Sequence, residues 1–512
     1  MNRNARWAVL GLLLLAAAAI RLRLLQVPLE RDEGEYAYGA SLLLGGRAPF
    51  SSMYSMKLPG TQFAYASFLA LFGHSGAAIR FGLLLVNAAT TLLVFALGRR
   101  LMSCGGAIAA AAAFAALSLS PAFLGIFAHA THFVILFAVA GLLVLHIALE
   151  SRRRRHFAAA GALLGAAVLM KQAGLVFPAL AICWWGWECR SGRRRWAAEG
   201  ASLCAGIAAP LLVTAAAVAL AGTLPAMWFW TVTYAREYAT ALPLAEALRN
   251  LGRAVARFGP ATLPVLLLAG AGLVVALARR SALLPLLLLC SLAGAAVGFY
   301  FRRHYFILAI PAAALLAGCA FDALAARARS AAVTVVCAAC AWTLVAERDV
   351  LFALPPAAVS RAIYGENPFP EAVEIARYLR EHTGERDRVA VLGSEPEIPF
   401  YARRLSATGH VYMYSLMEAH PFASAMQEQA IREIESARPP YIVWVLAQSS
   451  WLPHPGAPRL LPEWARRYVA QGYRVVGNAT VVDLTHTRYV WGAAAESEPI
   501  EETTVALLLE RR

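Results

Sequence analysis

Charge is what this sequence lacks first. Asp, Glu, Lys and Arg supply 15% of its 512 residues, against about 25% in a soluble globular chain. An ordinary water-soluble enzyme is thereby excluded. Lysine is scarcer still, so the formal net charge of +15 rests on arginine. The arginines fall in short clusters between apolar runs, a pattern of loop anchors rather than of one basic face, which excludes nucleic acid as a partner. Cysteine is limited to eight residues, none after Cys340 and none at metal-ligand spacing. No disulfide framework is expected, so the tail folds without disulfides in whatever compartment holds it.

What is abundant is apolar surface, with 60% hydrophobic residues and a mean hydropathy of +0.57. Stretches of about 20 mainly apolar residues cross a bilayer as helices. They lie near 7–27, 79–98, 105–122, 131–149, 157–171, 173–189, 197–221, 259–278, 282–300, 304–321 and 331–347, which predicts about eleven spans. Arg3 and Arg6, Arg99–Arg100, Arg152 to Arg155, Arg190 with Arg193 to Arg195, Arg279–Arg280, and Arg327 with Arg329 sit at every second boundary. The positive-inside bias then sets a cytoplasmic N-terminus, and an odd number of spans sets the C-terminus outside. Residues 1–20 also have the basic start, apolar core and alanine run of a signal peptide. A retained first span is expected instead, because it anchors the loop that follows. Abundant Ala, Arg, Gly and Leu suit a bacterium with GC-rich DNA, hence a cytoplasmic (inner) membrane.

Near residue 350 the character changes. Pro355–Pro356 and Asn367–Pro368 mark a linker. Beyond it, 371–382 and 425–437 have helical periodicity, while 389–393 and 441–446 read as buried strands. The expected organisation is a mainly α transmembrane domain over 1–349 and an extracytoplasmic α/β domain over 350–512. No long internal repeat supports an inverted-repeat transporter.

The first outward loop, about 28–78, is too long for a plain connector. It holds two helix-like pieces, Glu35 to Leu44 ending at Gly45–Gly46 and Pro59 to Phe72 ending at Gly73. Both are amphipathic enough to lie along the membrane surface. Before the first piece stands Arg31-Asp32-Glu33-Gly34-Glu35-Tyr36. Three carboxylates in four residues either complement a helix dipole or provide a general base whose pKa is raised by like charges and burial. The residues alone leave both readings open.

The order of a span, this acidic pair with Gly-Glu-Tyr, a surface helix, Met56-Lys57-Leu58-Pro59-Gly60, a second surface helix and many spans resembles the GT-C glycosyltransferases. The likeness is to the family 39-like group related to protein O-mannosyltransferases and lipid A aminoarabinose transferases, and is most specific over 31–73. It implies transfer of a sugar from a polyprenyl-phosphate carrier to a lipid, glycan or protein acceptor outside the membrane. It also implies that Asp32 is the catalytic base or acceptor-orienting group, with Glu33 beside it. Attack by an acceptor hydroxyl needs a carboxylate, and a departing lipid phosphate needs cations rather than an acid. A single displacement would invert the anomeric centre.

Arg31, Glu35 and Tyr36 complete the motif as substrate-binding candidates. Lys57 shares the loop and suits the phosphate, against the plainer reading of a snorkelling lysine. Lys171, inside an apolar stretch, is a functional candidate or a helix cap. Arg302-Arg303-His304-Tyr305 breaks the positive-inside pattern, which a lipid phosphate would explain and a one-span topology shift would also explain. Arg21 and Arg23 raise the same question. His129 and His132 share a helix face and could bind a divalent metal, although hydrogen bonding within the bundle is the commoner role. No cofactor is required by spacing. Trp228, Trp230, Tyr234, Arg236, Glu237 and Tyr238 form an interfacial belt or line a sugar cavity. Glu395 and Glu397 read as ordinary turn acids. The rival functions are a lipid or glycan flippase, which would place paired charges deep within spans, and a non-catalytic envelope assembly protein.

Overall fold

The computed structural model describes residues 3–189 and 196–512. The basic loop read at Arg190 and Arg193 to Arg195 lies outside the described residues. Among these, seven helices are long and apolar enough to cross a membrane: Asn4–Arg23, Gly76–Leu101, Ala130–Ser151, Trp196–Leu220, Leu244–Ala278, Arg303–Ala325 and Arg329–Ala346. The other four expected stretches are helical too, as Cys104–Leu119, Arg154–Met170, Val176–Cys189 and Leu283–Ala296, of 14 to 17 residues. The protein is a multi-pass membrane protein. The Leu244–Ala278 helix starts well before the expected 259, because Pro260 and Pro264 do not interrupt it.

Arginine clusters gather at one end of the bundle, where Arg100 pairs with Glu150 at 2.7 Å and Arg152 with Glu199 at 3.1 Å. The first loop and the tail meet at the other end. Arg21 and Arg23 bind no free anion site there. Arg21 donates to the Ser118 and Gly125 carbonyls, and Arg23 to those of Val350, Leu351 and Leu354, so both tie the first span to its neighbours.

Two corrections concern the loop. Its first helix is Arg31–Leu44 and begins before Glu35, because Glu30 caps it. The Glu33 amide donates to the Glu30 carboxyl at 2.9 Å, and the Glu30 amide donates back to Glu33 at 3.1 Å. This is a capping box made of two acids. The helix also does not lie open on a membrane surface, since ten of its fourteen residues are buried, between the second loop helix, the bundle and the tail. The second helix, Gly60–Phe72, is capped by Pro59 and stops at Gly73, whose φ of 91° suits glycine.

The tail carries a six-stranded mixed sheet, β1 (Arg388–Leu392), β2 (Leu405–Ser406), β3 (Tyr441–Val445), β4 (Tyr473–Val481), β5 (Thr487–Trp491) and β6 (Thr504–Arg511). Their spatial order is β2-β1-β3-β6-β4-β5, with β1 parallel to β2 and β3 and the remaining pairs antiparallel. Phe369–His382 packs one face, while Ala423–Ala437 and Leu460–Gly472 pack the other. The residues read as linker are partly helical, as Pro356–Tyr364 with Pro355 as cap.

Loop and tail touch backbone to backbone at Gly34. A Cβ there would stand 2.6 Å from the Glu397 amide nitrogen, an overlap that neither backbone can relieve cheaply. Gly34→Ala should therefore loosen the tail by about 1–3 kcal/mol. The measurement is a thermal melt with limited proteolysis between residues 355 and 368. Gly11→Ala, whose Cβ would meet nothing within 4 Å, is the control. Equal melting of the two variants would show that the contact is not tight.

Candidate active site

Glu30, Asp32, Glu33 and Glu35 pose an electrostatic problem, because a buried carboxylate is stable only when paired or protonated. Each is answered differently. Glu33 is wholly buried and takes both Arg80 guanidinium arms at 2.6 and 2.8 Å, plus the Ala128 amide at 2.5 Å. Arg80 also donates to the Pro28 and Ile126 carbonyls. Burial, with the charges of Asp32 and Glu33, pushes the Glu30 carboxyl well above the usual range, which leaves it protonated. Glu35 accepts from the Ser55 hydroxyl and from Lys57, each at 2.5 Å.

Asp32 is the acid left facing open space. It lines a cavity of about 420 Å³ together with Glu35, Tyr36 and Lys57 of the loop, Lys171, and Arg302, His304 and Tyr305. Lys57 donates to Asp32 Oδ1 at 2.7 Å and stands 4.6 Å over the Tyr36 ring. Burial resists ionisation of Asp32, yet Lys57, with His304 and His129, outweighs it and holds the carboxyl well below its usual range. Lys171 sits 3.9 Å over the Tyr305 ring. Burial pushes its pKa down to about 7, with Asp32 opposing and Lys57 and Arg302 reinforcing. The chain has two lysines in all, and both are here. Four cationic side chains, Lys57, Lys171, Arg236 and Arg302, on one largely apolar cavity form a receptor for an anion.

His129 and His304 stack at 4.0 Å, and one nitrogen of each lies 3.7 Å from Asp32 Oδ2. Neither ring nitrogen of buried His129 has a hydrogen-bond partner. Two imidazoles and a carboxylate within 4.8 Å of one another are a donor set suited to a divalent cation. His132 does not join them. It is buried beside Arg21, because His129 is the non-helical N-cap of Ala130–Ser151 and so does not share a helix face with His132.

Three other expected residues stand off the cavity. Glu33 is committed to Arg80, and Arg303 reaches back toward the Pro121 carbonyl at 3.5 Å. Arg31 points into the tail, where it donates to the Ser394 carbonyl, Tyr414 Oη, Asn367 Oδ1 and Glu395 Oε1. Glu395 and Glu397 are thus no surface turn acids, since both are fully buried at this junction. Of the aromatic segment, Trp230, Tyr234, Arg236 and Tyr238 line the cavity, while Trp228 is 62% exposed.

The sequence reading missed the tail's own share of the wall, Tyr412, Tyr414 and Glu418. Tyr412 Oη reaches Asp32 Oδ1 at 3.4 Å. No local pattern marks these residues. Arg80 was also missed, though an arginine inside an apolar run is itself a signal.

Among protein families, residues 57–218 match the dolichyl-phosphate-mannose-protein mannosyltransferase model. No curated protein sequence matches significantly. Solved structures do. ArnT from Cupriavidus metallidurans, bound to undecaprenyl phosphate, aligns with a TM-score of 0.60 at 17% identity, over 98% of this chain and 100% of that one. Archaeal oligosaccharyltransferase AglB from Archaeoglobus fulgidus, with an inhibitory peptide and a dolichol-phosphate, aligns at 0.54 and 14% identity, over 99% and 76%. Arabinofuranosyltransferase AftD from Mycobacteria aligns at 0.54 and 15% identity, over 100% and 40%. All three are glycosyltransferases of the GT-C superfamily. This chain has the GT-C fold.

Within this GT-C fold the supports of the acidic loop are open to test. Arg80→Met leaves Glu33 as an uncompensated buried charge and should cost about 3–5 kcal/mol in thermal or denaturant unfolding. Glu397 has neither carboxyl oxygen hydrogen-bonded, and burial, with Glu395 beside it, raises its pKa well above the usual range. Its contribution is complete below the unfolded pKa of about 4.3 and is lost as pH rises toward the folded value. The melting temperature should therefore decline as pH rises above about 4.3, and Glu397→Gln should flatten that decline. An identical slope in the variant refutes it.

Proposed function

We propose that the protein is an integral membrane glycosyltransferase that moves a sugar from a polyprenyl-phosphate carrier to a cell-envelope acceptor, with inversion. The observation that carries the reading is Asp32 set on one cavity with Lys57, Lys171 and Arg302. The ArnT and AglB structures that share the fold contain polyprenyl phosphates, which supports the same donor class here. The chain would sit in the bacterial inner membrane, N-terminus in the cytoplasm, with the cavity and tail outside.

In this reaction the acceptor hydroxyl oxygen attacks the anomeric carbon as the bond from that carbon to the phosphate oxygen breaks. The hydroxyl proton goes to Asp32, and the bonding pair leaves with the lipid phosphate. Lys171 and Arg302 meet the phosphate charge, so no acid need protonate the leaving group. Lys57 holds Asp32 ionised and fixes its Oδ1, leaving Oδ2 to the acceptor. Tyr412 aligns the same carboxylate from the tail side.

A divalent ion held by Asp32, His129 and His304 would supply a positive charge at the cavity floor. It would use the same Oδ2 and make Asp32 an orienting group rather than the base. Metal analysis of purified protein separates the two. About one zinc or manganese per chain, lost in His129→Ala, supports the ion, and full activity in metal-stripped protein supports the base.

Asp32→Asn should lower sugar transfer in membranes by at least about 100-fold, with product followed by mass spectrometry and undecaprenyl phosphate binding retained. Wild-type transfer by a folded Asp32→Asn variant removes the mechanism. Lys171 carries its charge below about pH 7 and loses it above, so the KM for donor should rise with pH through that region. Lys171→Arg should abolish the rise, because a guanidinium stays charged.

A further inference from the structure

A second cavity, of about 620 Å³, opens between the first loop and the tail. It touches the catalytic cavity through one residue, Tyr54, which lines both. Tyr54 is firmly placed as a partition. Its ring stacks on Trp230 at 5.6 Å and 9°, its hydroxyl donates to Glu433 at 2.7 Å, and its amide donates to the Gly409 carbonyl at 2.9 Å.

The walls of this second cavity differ from those of the first. Arg47, Arg388 and Arg432 surround it with one lining carboxylate, Glu433, and with the hydroxyls of Ser51, Ser52 and Ser436. Glu433 is already occupied by Thr408, the Gly409 amide and Tyr54. Among the described residues, Arg47 and Arg388 have no carboxylate partner. Arg47 reaches the Ser52 hydroxyl at 3.3 Å and Arg388 the Ser406 carbonyl at 3.4 Å, both long and neutral. Arg432 has only the exposed Glu428, at 3.6 Å. Guanidinium groups left without a carboxylate around a concave, hydroxyl-rich space suit a ligand carrying both hydroxyls and negative charge.

The groove also lies along the sheet edge, since β2 is the end strand. An extended peptide could add there only if the edge backbone were free. It is not. The Ser406 amide already donates to Tyr38 Oη at 2.8 Å, the Ala407 amide donates inward to the Val389 carbonyl of β1, and the Gly409 carbonyl accepts from the Tyr54 amide. Recognition is left to side chains, which favours a carbohydrate over a strand-forming peptide.

We propose that this groove is a subsite for an anionic oligosaccharide acceptor, held beside the cavity that contains Asp32. It rests on the glycosyltransferase reading and narrows it, placing the acceptor on the water side of the membrane rather than among the lipids.

The test uses full-length protein in nanodiscs, with fluorescent hexagalacturonate as an anionic probe, maltohexaose as its neutral counterpart and hexaglutamate as an anionic peptide. Hexagalacturonate should bind wild type in a salt-sensitive way and more tightly than either control. Arg47→Ala/Arg388→Ala should weaken it by at least about tenfold, while Arg388→Lys retains most of the affinity. Undecaprenyl phosphate binding, which uses the other cavity, should be unchanged in all variants and also reports that they are folded. Equal binding of hexagalacturonate by wild type and double variant, or none by wild type, overturns the subsite. Tighter binding of hexaglutamate overturns its carbohydrate assignment. Failure of wild type to bind undecaprenyl phosphate counts against the donor reading alone.

Discussion

The structure depends on making four neighbouring carboxylates tolerable at a membrane boundary. Isolated, they would repel one another and resist burial. The fold answers each from a different direction: Arg80 from a span, Lys57 from further along the loop, a proton on Glu30, and helix capping between Glu30 and Glu33. Because these partners come from separate elements, satisfying the acids also fixes where the loop sits relative to the bundle. Asp32, with its side chain 17% exposed against 4% for Glu35, is the member most open to the cavity. A cluster that began as an electrostatic liability thus has one ionised member presented to open space.

The same logic separates two kinds of cation. Arg80 and Arg31 are consumed by protein acceptors, and their planar donors suit that structural use. Lys171 and Arg302 rest on aromatic rings instead of carboxylates. A ring face is a weak partner compared with a phosphate, so these two charges can be given up to a ligand at little loss. Lys57 stands between the classes, since its bonds to Asp32 and Glu35 already claim it.

Much of this was legible in the sequence because it is written in local pattern. Apolar runs marked the helices, and Pro59 and Gly73 marked the ends of the second loop helix. Strands β1 and β3 stood out as short, mainly apolar segments. What escaped is non-local. The role of Glu33 depends on Arg80, 47 residues away, and that of Arg31 on Glu395, 364 residues away. Periodicity carries no record of such pairings. Strands β4 to β6 were hidden for a related reason. Their mixed polar and apolar residues make sense only beside one another, as in the antiparallel pairing of β6 with β3 and β4. His129 was found with the wrong partner, because spacing offered His132 while the fold supplies His304.

The latch formed by Arg31 has a consequence for how the protein is made. Its guanidinium precedes its partners Ser394, Glu395 and Tyr414 by 363, 364 and 383 residues of chain. Until those residues are made, Arg31 lacks these acceptors and the acidic turn lacks part of its cover. Its helix can be settled only when the tail has followed it and closed over Gly34. A nascent chain stalled before that point would present an unfinished loop, recognisable to quality-control proteases, and would lack the Tyr412 contact to Asp32. The cavity wall is therefore complete only once Tyr412, Tyr414 and Glu418 of the tail have joined the loop.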